Sequence, residues 1–211
     1  MTILALEFSS DRRSVALARD GIVLSEAVEQ TGGRATKAFG LIEKVLAEGK
    51  VSRESVEVIA VGLGPGSYTG IRAAISVAQG WQLARGVKLL GVGSMEALAA
   101  QAQAEKIFGR VRVVVDAQRG EFYLGEWDIS ADELVATCPV QIVSGAEISK
   151  HAGAGGVSIG PTMERLMYPA AAMVARLAGG REAYVPGEGL QPIYLRETSY
   201  VKAPASRPIS S

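Results

Sequence analysis

Residues 62–72, with the sequence GLGPGSYTGIR, have the types and spacing that could bind an anion. They follow an apolar run, 56–61, typical of a buried strand, and they lead into a helical run, 71–85. The glycines and the proline allow turn conformations that other residues avoid, and Ser67 or Thr69 can cap the helix, whose first amides point into the loop. The P-loop motif and the Gly-x-Gly-x-x-Gly spacing are absent. The segment therefore predicts either an anion pocket or a tight turn that binds nothing.

Two carboxylates, Glu7 and Asp116, each follow an apolar strand-like run and precede a turn. Carboxylates at such positions can hold magnesium or orient water in nucleotide-splitting enzymes. For Glu7 the sequence favours a local cap, because no glycine precedes Gly21 in the turn that follows. Asp116 fits either a site or a local pair with Arg119. The candidate anion cleft comprises Glu7, Ser9, Ser10, Gly64, Gly66, Ser67, Thr69, Asp116, Arg119 and Gly120.

The remaining catalytic inventory is small. His151 is the only histidine and Cys138 the only cysteine, so we expect no metal site, no Ser-His-Asp triad and no internal disulfide. Ser67 has no general base in view, which argues against nucleophilic catalysis. The chain is therefore expected not to be an enzyme.

Composition narrows the class of protein further. Over 211 residues, 22 basic and 22 acidic side chains give zero net charge, which disfavours autonomous nucleic-acid binding. Hydrophobic residues make up 48% of the chain, enough for a sizeable core. The N-terminal apolar run ends at Glu7 and no charge-free stretch reaches membrane-spanning length. We expect a cytoplasmic chain with no membrane contact.

Hydrophobic periodicity sets the elements that would position these residues. In the first half, strands are predicted at 2–6, 14–18, 22–28, 56–61 and 88–92, and helices at 35–48, 71–85 and 94–104. Asp20 and Gly21 predict a hairpin turn, and Ser94 is expected to cap the third helix. In the second half, strands are predicted at 111–115, 122–127 and 135–142, a flexible loop at 149–156, a helix at 163–177 and a loose tail at 203–211.

The two halves correspond in order. Residues 4–7 match 113–116, each a strand that delivers a carboxylate to a turn, and residues 61–65 match 157–161, each a strand end running through Gly-Pro. The pattern favours an internal duplication with an eroded second copy over chance matching. A duplicated α/β unit would place its two hairpin turns face to face across a cleft.

The helices at 35–48 and 71–85 carry more apolar surface than one sheet needs. Either they bury one another within the chain or they form an intermolecular helix contact, which small side chains would bring close. We expect the second. The candidate docking residues are Ala38, Phe39, Ile42, Leu46, Ile71, Ala74, Ile75, Val77, Ala78 and Trp81.

The chain resembles the TsaB (YeaZ) family over nearly its full length. Residues 64–72 match that family's Gly-Pro-Gly-Ser-Phe/Tyr-Thr-Gly-hydrophobic-Arg signature, and residues 3–7, 14–17, 115–123 and 192–196 are similar to other family segments. The resemblance implies an actin/Hsp70/sugar-kinase-like (ribonuclease H-like) α/β fold of duplicated βββαβαβα subdomains, with the second copy reduced. The subdomains would be 1–104 and 105–211.

The resemblance also implies a role in making threonylcarbamoyladenosine at position 37 of tRNA. The chain would be a non-catalytic subunit that docks a metal-dependent TsaD-like paralogue through its first two helices. A TsaE-like ATPase would join them, the chain would also form a homodimer, and tRNA would be reached only through the complex. No cofactor is implied for the chain itself, and a nucleotide at the partner interface is left open.

Two departures from the family pattern bear on catalysis. Glu7 stands where the family usually has Asp, and residues 33–36 lack the histidine often found there. Residues 34–40 also lack the two histidines that hold metal in the catalytic paralogue, which argues against a protease. The alternative function is a weak magnesium-nucleotide ATPase or phosphotransferase that uses Glu7, Asp116 and the loop 64–70.

Overall fold

The computed structural model describes residues 1–30, 37–152 and 155–196, without the side chains of residues 151 and 152. The first sheet has the strand order β3-β2-β1-β4-β5. Strands β1 to β3 pair antiparallel, and β4 and β5 continue from β1 in parallel. The strands are β1 (Thr2–Glu7), β2 (Arg12–Arg19), β3 (Ile22–Gln30), β4 (Val58–Gly62) and β5 (Lys88–Val92).

Helices cover both faces of this sheet, because β1 and β4 are buried on both sides. The first face packs against α1 (Ala38–Glu48) and α2 (Tyr68–Arg85), with Leu4, Leu6 and Phe8 in the shared core. The opposite face, with Ile3 and Ala5, packs against α5 (Ala171–Gly179) and touches α3 (Ser94–Ala104). The remaining side of α3 packs on the second sheet, so α3 lies between the two halves of the molecule.

The second sheet repeats the order of the first. Its path is β11-β10-β6-β7-β8, with β9 also pairing β7, and β10 and β11 run parallel to β6. The strands are β6 (Gly109–Gln118), β7 (Glu121–Ile129), β8 (Leu134–Ala136), β9 (Gln141–Ser144), β10 (Val157–Gly160) and β11 (Arg165–Leu166), and α4 is Gly145–Ala152. The matching order confirms the predicted duplication, and the short β10 and β11 confirm that the second copy is reduced.

The C-terminal part of the described chain returns to the first sheet. Helix α5 packs on β1 and β2, although it follows the second sheet in the sequence. Residues 184–196, which we call the strap, then pass along β5 and α2. Val185 bridges to Leu89, Leu190 is in the first core, and the Ile193 amide donates to the Leu63 carbonyl at 2.9 Å. The division of the chain at residue 104 stays a prediction.

Proline accounts for two wrong element predictions. The predicted helix 163–177 is absent: residues 165–166 pair with β10, and α5 begins only at Ala171, after Pro169, because the residue before a proline disfavours helical backbone. The predicted strand 135–142 is two strands, β8 and β9, separated around Pro139, because proline cannot donate to a sheet ladder.

Other boundaries shift by a few residues. Helix α2 begins at Tyr68 rather than 71 and is capped by Ser67, whose Oγ accepts from the Gly70 amide. The predicted Ser94 cap is wrong, since α3 begins at Ser94 and its hydroxyl is bound elsewhere. Part of the predicted loop 149–156 is the end of α4, while residues 153–154 lie outside the described residues. The first residues of the predicted helix 35–48, segment 33–36 and the tail 203–211 also lie outside them.

Candidate functional site

The glycines of the loop after β4 bring two backbones into contact. A Cβ on Gly66 would lie 2.2 Å from the Ser9 carbonyl oxygen, and one on Gly70 would lie 2.0 Å from the Phe8 carbonyl oxygen. The loop amides are used internally as well. Gly64 N donates to Ser94 Oγ at 3.0 Å and Ser67 N donates to the Ser9 carbonyl at 2.7 Å. The glycine pattern thus serves close packing against the turn after β1, and these amides do not cradle an anion.

Glu7 is a fully buried carboxyl group rather than a ligand in a cleft. Its Oε1 accepts from the Ser9 amide and its Oε2 accepts from Ser94 Oγ, both at 2.7 Å. A Cβ on Gly62 would lie 1.9 Å from Oε2, so glycine there makes room for the longer side chain. Burial raises the pKa of Glu7 above its ordinary value, although the hydrogen bonds from Ser9 and Ser94 oppose this. Glu7 therefore joins β1, β4 and α3, as the sequence favoured.

We expect Glu7→Gln to be more stable than the native chain at neutral and alkaline pH. Because the folded-state pKa is raised, protonated Glu7 contributes stability that is complete below the ordinary pKa of 4.5 and is lost as pH rises through the folded-state value. Glutamine mimics the protonated form and has no such loss. Urea unfolding across pH should show the native chain losing stability relative to Glu7→Gln as pH rises. A constant difference would contradict the raised pKa.

The predicted cleft forms between the two halves and has a volume of ≈ 660 Å³. It brings the turn after β1 to face the turn between β6 and β7. Six of the candidate residues line it: Ser9, Ser10, Gly66, Ser67, Asp116 and Arg119. Glu7, Gly64, Thr69 and Gly120 are not among the lining residues. Sequence reasoning missed three tyrosines of the lining, Tyr68, Tyr123 and Tyr168, together with Arg196; only the 64–72 and 192–196 motifs pointed toward Tyr68 and Arg196.

The residues in this cleft do not fit a magnesium nucleotide. The Glu7 carboxyl group is enclosed in the core, and Asp116 accepts from Gln118 N at 2.7 Å and from Gln118 Nε2 at 3.1 Å. The Gly64, Ser67 and Gly70 amides are bonded within the loop and its neighbours. Within the part of the chain that the structure describes, no three His, Cys, Asp or Glu residues are grouped to hold a metal ion.

An apolar groove lies between α1 and α2, with a volume of ≈ 470 Å³. Phe39 is 69% exposed at its edge, and the half-buried Val77 and Trp81 line it. The other seven candidate docking residues are buried within the single chain, where they pack the first core: Ala38, Ile42, Leu46, Ile71, Ala74, Ile75 and Ala78. Of these, only Ile42 also reaches the groove. The two helices therefore bury much of their excess apolar surface in the monomer, yet a groove remains.

Small residues and ion pairs shape this groove. Ser76, Gly80 and Ala84 line it at intervals of one helical turn along α2, and a Cβ on Gly80 would meet nothing within 4 Å. At the rim, Arg53 pairs with Glu43 at 2.7 Å and Arg85 with Glu54 at 3.9 Å. The spacing of the small residues was visible in the sequence, whereas the rim pairs were not. An apolar floor with a charged rim is typical of a protein-binding surface.

No helix in the described ranges is long and apolar enough to cross a membrane.

Comparison with known proteins identifies the family. A family model described as TsaD, tRNA N6-adenosine threonylcarbamoyltransferase, matches residues 17–183. The tRNA threonylcarbamoyladenosine biosynthesis protein TsaB of Escherichia coli (strain K12) is 31% identical over 127 residues, 60% of this chain and 55% of that protein. TsaB of Bacillus subtilis (strain 168) is 28% identical over 144 residues, 68% of this chain and 62% of that protein. The match thus spans less than two thirds of either relative.

Solved structures agree with this assignment. YeaZ from Pseudomonas aeruginosa superposes with a TM-score of 0.79 at 27% identity, covering 92% of this chain and 99% of that chain. A second P. aeruginosa structure, of a protein with similarity to peptidase YEAZ, gives a TM-score of 0.80 at 29% identity with the same coverage. Together with the repeated sheet order, these superpositions establish the actin/Hsp70/sugar-kinase-like fold. The chain belongs to the TsaB (YeaZ) family, within the wider family that the TsaD model describes.

Proposed function

We propose that this chain is a non-catalytic scaffold subunit in threonylcarbamoyladenosine modification of tRNA, and that it docks a TsaD-like threonylcarbamoyltransferase through the groove between α1 and α2. The observation that carries the proposal is the groove itself. It leaves Phe39 exposed and Val77 and Trp81 half-buried on a helix pair whose other apolar side chains are enclosed. The names of the relatives supply the pathway.

The groove suits a helix of a protein partner. Large apolar side chains form its walls, and the small residues Ser76, Gly80 and Ala84 would let a partner backbone approach α2 closely. The rim pairs keep charge at the periphery, where it directs orientation more than affinity. A homodimer would use the same surface on both copies, so self-association and paralogue docking would compete. A TsaE-like ATPase would join the docked pair, and tRNA would be reached through the complex.

The experiment that tests this role is size-exclusion chromatography with light scattering. The chain is run alone, with the TsaD-like paralogue from its own source, and with that paralogue plus the TsaE-like ATPase. The proposal expects a mixed complex of paralogue and chain that replaces any homodimer. If chain and paralogue elute separately at concentrations well above micromolar, the docking role is wrong.

The alternative function, a weak magnesium-nucleotide ATPase or phosphotransferase, is favoured only by the size of the cleft. The enclosed Glu7 and the internally bonded loop amides count against it. We expect isothermal titration of the isolated chain with ATP and magnesium to give no metal-dependent binding heat, because no carboxylate ligand is free to receive the ion. Metal-dependent binding that is lost in Asp116→Asn would instead support the alternative.

A further inference from the structure

Two tyrosines and an arginine form an exposed cluster where α2 begins. Tyr68 is the first residue of α2 and Tyr194 lies in the strap; their ring centroids are 5.7 Å apart, and each residue is 54% exposed. The Arg72 guanidinium carbon lies 5.3 Å from the Tyr68 ring centroid, and its Nη1 donates to Tyr68 Oη at 2.6 Å. We call Tyr68, Arg72 and Tyr194 the tyrosine platform.

The platform is not needed to hold the strap in place. Leu190 is enclosed in the first core, and the Ile193 amide donates to the Leu63 carbonyl at 2.9 Å. Beyond the platform, Arg196 pairs with Glu121 and donates to the Ala117 carbonyl at 3.1 Å. Anchors on both sides of Tyr194 thus fix the backbone, while the two rings keep about half of their surface in water. Aromatic rings presented in this way can receive a ligand.

We propose that the tyrosine platform binds an unpaired nucleobase of an RNA strand. Unpaired bases stack on tyrosine rings and on guanidinium planes, and Arg72 places both kinds of surface together with a positive charge for a phosphate. The nearby acids do not oppose an anion strongly, since Glu121 is paired with Arg196 and Asp116 accepts from Gln118. The cleft beside the platform adds Arg119, Tyr123 and Tyr168.

This inference rests on the proposed function, which makes a tRNA the substrate of the complex, and it assigns part of the RNA contact to this chain. The geometry lets both partners bind at once. Helix α2 has 18 residues, so its ends are about 27 Å apart at 1.5 Å per residue. RNA would contact the end at Tyr68, while the paralogue would cover the groove around Trp81, nearer the other end. With zero net charge, the chain alone should bind RNA weakly and in a salt-dependent manner.

The test is fluorescence anisotropy of a labelled single-stranded RNA titrated with the full chain at low ionic strength. We expect Tyr68→Leu and Tyr194→Leu each to weaken binding about tenfold, and the Phe variants at both positions to retain it, because stacking needs the ring. Phe108→Leu removes a ring that is 47% exposed outside the cleft and the groove, and should bind RNA like the native chain. Thermal unfolding verifies that each variant is folded.

Three further arms separate the possible outcomes. Duplex RNA should bind less tightly than the single strand, and magnesium ATP should compete poorly, which distinguishes an RNA base from a free nucleotide. Val77→Glu should lose the paralogue but keep RNA, so that failure of docking and failure of the platform are distinct results. The proposal is overturned if the native chain does not bind the single strand, or if the two Leu variants bind it like the native chain.

Discussion

Val77→Glu abolishes association of the chain with the TsaD-like paralogue and also abolishes self-association, while the isolated chain remains folded. Val77 is half-buried and lines the groove, so its side chain can reach water in the monomer but not in the complex. A carboxylate enclosed at an apolar interface without a partner costs several kcal/mol, and a loss of about 3 kcal/mol corresponds to an affinity more than 100-fold weaker. Sedimentation or size-exclusion profiles measure the effect.

Two matched variants make this result specific. Leu83→Glu places the same charge on the same helix at a residue that is 89% exposed and outside the groove lining, so association should persist. Ala74→Arg, which the sequence alone favours equally with Val77→Glu, should instead unfold the chain because Ala74 is fully buried in the first core. Equal loss of association in Val77→Glu and Leu83→Glu would exclude the groove as the docking surface.

Gly70→Ala destabilises the chain by about 3 kcal/mol or more, because overpacking of this kind cannot be relieved by a side-chain rotation. The added Cβ would lie 2.0 Å from the Phe8 carbonyl oxygen and 3.1 Å from the Phe8 carbonyl carbon, both backbone atoms at the end of β1. To relieve the clash, the first turn of α2 must move away from the sheet. Urea-induced unfolding, followed by circular dichroism, measures the free energy of unfolding.

Gly80→Ala is the matched control on the same helix. A Cβ there meets nothing within 4 Å, so the variant should gain about 0.5–1 kcal/mol from the higher helix propensity of alanine. Opposite signs for the two substitutions would show that the glycine-rich motif serves backbone packing. If Gly70→Ala is as stable as the native chain, the close approach of α2 to Phe8 is wrong.

Much of the first half could be predicted from the sequence because its signals are local. Alternation and the Asp20-Gly21 turn predicted β2 and β3, and both turn residues have the positive φ that such a hairpin needs. Repetition of strand–carboxylate–turn predicted the duplication, which the order of the second sheet confirms. These features depend on the chain pairing with nearby segments.

The features that could not be predicted depend on distant contacts. The Ser94 hydroxyl binds Glu7 across the core rather than capping its own helix, and no local pattern shows that. The two over-apolar helices satisfy most of their surface within the monomer, since seven of the ten candidate docking residues pack the first core. Tyr194 reaches Tyr68 through the strap, a contact that the separate motifs do not reveal.

The chain contains two tryptophans, and they report separately on the groove and on the core. Trp81 lines the groove, whereas Trp127 is 5% exposed beneath the second sheet. Labelling the chain with 5-fluorotryptophan and titrating it with unlabelled TsaD-like paralogue gives two fluorine resonances to follow. If the groove docks the paralogue, the Trp81 resonance shifts as the complex forms and the Trp127 resonance does not. A complex that forms with the Trp81 resonance unchanged would contradict the scaffold role assigned to this groove.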